Sequence, residues 1–170
     1  MLEQIPEKLS SLGVKGFIVI TKDGIPVLER IYDSNMDLGT DTFLTAGFLS
    51  AFARFADEHV SGLLSDVGLH TYRLFFDYTE HLLFLLIYDE MKMGNLPVSN
   101  FLMLFKGTMS EIKSLLIEFF ADQSDISLRQ MIENPKSLEA LSKMLETVSP
   151  QFDRILYKSH TMLIEMLETE

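Results

Sequence analysis

The chain contains no cysteine. That excludes disulfides and thiolate metal sites, and it fits a reducing compartment. Positive charge is also scarce: 14 Lys and Arg stand against 25 Asp and Glu, a formal net charge of −11. Such a surface repels phosphate backbones and anionic lipid, so nucleic acid and membrane-surface binding are disfavoured. Apolar runs are broken by polar residues well short of the ~20 needed to span a bilayer. No N-terminal stretch has the basic-then-apolar form of a signal peptide. The expectation is a soluble, cytoplasmic protein with no transmembrane segment, reaching membranes only through its partners.

Catalytic motifs are missing as well. There is no GxxxxGK[ST] and no GxGxxG; "LFKGTMS" sets Lys106, Gly107 and Thr108 in a row but lacks the preceding glycine of a phosphate-cradling loop. His59, His70, His81 and His160 make no i,i+4 pair, and nothing resembles HExxH. Asp57, Glu58 and His59 read as a solvated helix end, Asp77, Glu80 and His81 as a turn, and Asp89 and Glu90 as the exit of a strand. Arg30, Arg54 and Arg73 could each offer a guanidinium to a phosphoryl transfer site, but nothing marks one of them. No catalytic, cofactor-binding or metal-ligating residue is expected.

What is present is apolar. Of 170 residues 47% are hydrophobic, with 13 Phe and 10 Met, enough for one domain core and for surface meant for a partner. Leu2, Ile5, Leu9 and Leu12 repeat at helical spacing, and Gly13 is placed to stop that helix. "FIVI" (17–20) reads as a central strand buried on both faces. Asp23-Gly24 forms a turn, because both residues tolerate positive φ. "IPVLERIYD" follows as a strand with one wetter face, and Pro26 belongs at the first residues of a strand or on an edge. "TFLTAGFLSAFARFADEHVSG" predicts a helix with a wide apolar arc. "LLSDVGLH", "TYRLFFDYT" and "HLLFLLIYDE" predict three strands, the last of them central. From Asn95 the period becomes that of helices. A long one carries Phe101, Leu104, Phe105, Met109, Ile112, Leu116, Phe119 and Phe120, with Gly107 as a point of bend or break. A short piece ends at Asn134-Pro135. Two more helices follow, with Ser137 and Ser149 as caps and Pro150 at a first position.

This order resembles the roadblock and longin families. "LEQIPEKLSSLGVKGFIVITKDGIPVLER" carries the leading helix, first strand and hairpin of roadblock, while "FLTAGFLSAFARFADEHV" and "YRLFFDYTEHLLFLLIYDE" suit longin equally. The likeness runs over roughly Leu2 to Phe120. It implies an α+β fold, a five-stranded antiparallel sheet flanked by helices, over residues 1–121. Residues 122–170 would then be a helical extension, packed on that domain or on a partner. The resemblance further implies a non-catalytic module that scaffolds or regulates a small Ras-like GTPase as a homo- or hetero-dimer of like domains. The alternative it implies is a longin-type trafficking adaptor that binds peptides or coat partners. A small-molecule sensor is a third reading, and the near absence of polar residues in the buried strands counts against it.

Two surfaces are candidates for an interface. The second strand offers Val27, Glu29 and Ile31, because a sheet edge must be paired or protected. The helix after it offers Ala46, Gly47 and Ala53, small residues that permit close helix approach. The methionine-rich stripe of the C-terminal helices, including Met144, Met162 and Met166, suits packing within the chain or an adaptable groove.

Overall fold

The computed structural model describes residues 4–33, 66–69, 71–79, 81–94, 96–123 and 135–168. The expected helix holding Ala46, Gly47 and Ala53 lies outside the described residues, as do Arg54, His59 and His70.

Helix α1 (Ile5–Ser11) leads into β1 (Val14–Thr21) through Gly13, whose φ of 103° ends the helix as expected. Strand β1 and β2 (Pro26–Ile31) form the hairpin. Its turn is tied three ways: Gly24 N–H donates to the Thr21 carbonyl (2.9 Å), Thr21 N–H to the Ile25 carbonyl (2.9 Å), and Ile25 N–H to Thr21 Oγ1 (3.1 Å). Gly24 sits at φ 90°, so the Asp-Gly pair serves the turn as the sequence indicates. The ladder shifts register between Val19, opposite Leu28, and Ile20, opposite Pro26.

Strands β3 (Asp66–Leu69), β4 (Tyr72–Tyr78) and β5 (Leu82–Asp89) complete one antiparallel sheet in the order β2-β1-β5-β4-β3. The two strands read as central, β1 and β5, lie inside it, and β2 is an outer strand. Phe17, Val19, Phe75, Leu82, Phe84, Leu86 and Tyr88 fill one face, and Ile18, Ile20, Leu74, Phe76, Leu83, Leu85 and Ile87 the other. Period-two alternation in all-apolar strands produces this double burial.

The first face is covered by α1, by α2 (Val98–Gln123) and by α3 (Pro135–Glu168). Phe17 stacks on Phe84 at 6.3 Å and meets the edge of Phe152 of α3 at 5.9 Å. Burying each such ring is worth ~1.5–3 kcal/mol. Two expectations are corrected here. Gly107 does not break α2, because Phe101 and Phe105 before it and Met109, Ile112 and Leu116 after it anchor one continuous stripe. The last two predicted helices are one. Pro150 lies inside α3, and Ser137 and Ser149 are internal residues rather than caps. A proline has no N–H to give the carbonyl four residues back, here that of Glu146. The Ser149 hydroxyl donates to that carbonyl instead, at 2.7 Å. On both sides of the proline, Leu145, Val148, Phe152 and Leu156 press the helix to the core.

Candidate interaction surface

Strand β2 splits its side chains between inside and outside. Val27 and Leu28 are buried in the core, so the Val27 side chain is withdrawn from the surface set. The register shift beside it explains why two consecutive residues turn inward. Glu29 is exposed and Ile31 is 40% exposed, an uncommon position for a β-branched apolar residue. Burial nevertheless raises the Glu29 carboxyl above its usual range.

Behind this outer face, Arg30 and Tyr32 converge on Asp153 of α3. The guanidinium pairs with both carboxylate oxygens, and the Tyr32 hydroxyl donates to Oδ1. The hydrogen bond to Asp153 raises the Arg30 pKa against the opposing effect of burial, and burial first, then the Asp153 charge, pushes Tyr32 up. This network clamps β2 to α3. The pattern "LERIY" shows the alternation, but Asp153 is 123 residues from Arg30 and no local signal could couple them.

A second polar seam joins α3 to the central strand. The Tyr88 hydroxyl donates to the Leu12 carbonyl at 2.9 Å and lies 2.9 Å from His160 Nε2. Burial lowers the His160 pKa, opposed by the Leu12 carbonyl, and burial raises that of Tyr88. Both line a cleft of about 190 Å³ with Ser11, Lys92, Phe101 and Leu163.

Asp89, Arg73 and Asp77 are engaged within the fold. Asp89 accepts from Met91 N–H at 3.0 Å and starts a 3-10 turn (Glu90–Met93). Arg73 bridges Asp66 (2.7 Å) and Glu90 (2.9 Å), and Asp77 holds Lys113 at 2.6 Å. Among the described residues no group of histidines and carboxylates could hold a metal ion, and no helix is long and apolar enough to cross a membrane. On α3, Leu156 is buried and Met144 half-buried, while Met162 is 53% exposed.

A leading helix and hairpin, five antiparallel strands with β1 and β5 at the centre, and a long helix after β5 form the arrangement that the sequence resemblance implies. The fold is α+β, a five-stranded antiparallel sheet with flanking helices. No family model and no curated protein matches the sequence. Among solved structures, the chain is similar to the gliding protein MglB of Thermus thermophilus, with 12% identity over 86% of this chain and 89% of that one, at a TM-score of 0.41. It is similar to a Roadblock/LC7 domain of Streptomyces avermitilis, with 11% identity over 65% and 97% of the two chains, at 0.43. It is also similar to a chain in a homology model of the full-length AP-3 complex, with 16% identity over 92% and 96%, at 0.40. On this sheet, β2 is an outer strand whose exposed side chains are backed by α3.

Proposed function

We propose that the chain is a protein-interaction module that regulates or scaffolds a small Ras-like GTPase, as a dimer of like domains and without covalent chemistry of its own. The observation that carries this reading is the outer strand β2. It presents Glu29 and Ile31 outward, while Arg30, Tyr32, Val27 and Leu28 fix it from within. A strand held in this way keeps its shape when a partner docks, which lowers the ordering cost of association. The GTPase itself is what the roadblock resemblance implies.

Any stimulation of a GTPase would come from holding its switch segments in one conformation. Arg30 and Arg73 are already engaged by carboxylates. The test is to mix the full chain with a panel of small GTPases loaded with GDP or GTP and measure association by light scattering. Binding that depends on the nucleotide is expected, and no binding in either state overturns the proposal. An extended peptide added to the β2 edge by strand pairing would mark the longin-type adaptor instead.

A further inference from the structure

Helix α2 is amphipathic in an unusual way, because its outer face is not simply solvated. Phe101, Phe105, Met109, Ile112 and Leu116 point to the core. Diametrically opposite lie Met103, Gly107, Ser110, Ser114 and Ile117, in alternating steps of four and three residues. That spacing is the one at which two helices pack along a shared seam. Met103 is 74% exposed and Ile117 71% exposed, two large apolar side chains on one line in water. Between them the surface is low. A Cβ added at Gly107 would meet no atom within 4 Å, and the Ser114 hydroxyl is turned back on its own helix, donating to the Ser110 carbonyl at 3.0 Å.

The flanks of this line carry opposite charges. Lys106 and Lys113 run along one side, Glu111 and Glu118 along the other. A two-fold axis parallel to the helices sets each lysine flank against the glutamate flank of the other copy. Lys106 then faces Glu111, and Lys113 faces Glu118, five residues further on as in parallel coiled coils. An antiparallel pair would set lysine against lysine and glutamate against glutamate. Lys113 is held by Asp77 within its own chain, so the Lys106–Glu111 contact decides the direction.

We propose that the outer face of α2 docks a second copy of this chain, helix along helix in parallel, through Met103, Gly107, Ser110, Ser114 and Ile117. This gives the dimer of the functional reading above a specific seam, and it rests on that dimer but not on the GTPase.

The absence of cysteine makes the test direct, since any introduced thiol is the only one. Met103→Cys and Ile117→Cys are prepared separately in the full chain and oxidised, with Glu139→Cys on α3 as a control for random collision. In the parallel pair each of the first two variants cross-links to itself and the control does not. Cross-linking only when the two variants are mixed means an antiparallel pair and overturns the proposal. So does a monomer in sedimentation, whatever other protein then covers the face, and so does a dimer that neither variant cross-links. Lys106→Glu is expected to raise the dimer dissociation constant about tenfold, the effect of reversing two exposed ion pairs, and Lys106→Glu with Glu111→Lys to restore it. Loss of the cross-link with GTPase binding intact would remove this seam alone. Loss of GTPase binding with the cross-link intact would remove the functional reading alone.

Discussion

The Ser149 hydroxyl occupies the hydrogen-bonding place that Pro150 leaves empty at the Glu146 carbonyl, at 2.7 Å and in a buried position. A serine next to a proline thereby keeps α3 whole where a helix would ordinarily end. Ser149→Ala should destabilise the fold by about 1 kcal/mol, because the Glu146 carbonyl loses the hydroxyl that pairs with it. With Pro150→Ala in the background the backbone N–H returns, and the same serine substitution should cost measurably less. Urea denaturation of the four proteins checks this, and purely additive effects would refute the compensation.

Asp153 is the point on which Arg30 and Tyr32 both depend. Asp153→Ala leaves a half-buried guanidinium and a buried phenol without their shared acceptor. A loss of about 2–4 kcal/mol is expected, somewhat below that for breaking a fully buried pair because Arg30 keeps access to water. Arg30→Met should cost less, since Tyr32 still donates to the carboxylate. Thermal or urea unfolding will rank the two, and the reverse order would show that the Tyr32 hydroxyl cannot support the buried carboxylate without the guanidinium.

His160 makes stability depend on pH. Burial lowers its pKa below the ordinary 6.5, so the folded ring stays neutral where the unfolded chain takes up a proton. Below about pH 6.5 the unfolded state binds more protons, and stability falls with pH until the folded ring also titrates. His160→Gln should flatten that part of the profile between neutral and mildly acidic pH. An unchanged slope in urea titrations at several pH values would count against it.

Gly13 holds a position that no other residue fills well. Its φ is 103°, and a Cβ there would stand 2.7 Å from Lys92 Cβ and 3.0 Å from the Tyr88 ring, while its carbonyl accepts from Asp89 N–H at 2.8 Å. Gly13→Ala should cost about 1–3 kcal/mol from positive φ and crowding together. A melting temperature equal to that of the parent would contradict this.

Ile31 tests the outer strand as a binding edge. Ile31→Arg adds a charge at an exposed site, so its stability should stay within about 0.5 kcal/mol of the parent. If a partner docks on β2, its binding should weaken sharply. Equal binding by both proteins in the light-scattering assay would place the interface elsewhere.

Much of the fold is legible in short-range pattern. The "FIVI" and "LLFLLIY" runs identify the central strands because only strands covered on both faces lack polar alternation. Asp23-Gly24 and Gly13 mark a turn and a helix end because positive φ selects glycine. Pro26 fits the start of a strand or an edge, and β2 both begins at Pro26 and lies at the end of the sheet. The break expected at Pro150 does not occur, because the rule for prolines counts a missing donor and cannot see a neighbouring hydroxyl replace it. Strict alternation puts Val27 on the surface, because it cannot foresee a register shift.

The amino-acid sequence by itself determined, among the described residues, the leading helix, the five strands, the long helix after β5 and most of their apolar faces, since these depend on neighbours a few residues apart. It also determined that thiol chemistry is absent and that the surface is acidic. The tertiary structure alone decided that Arg30 and Tyr32 meet Asp153, that Tyr88 meets His160, and that Glu29 and Ile31 of β2 face outward while Val27 does not. These are contacts between residues far apart in the chain, and they form because the apolar faces of α3 and the sheet, once buried together, bring those polar groups within reach of each other.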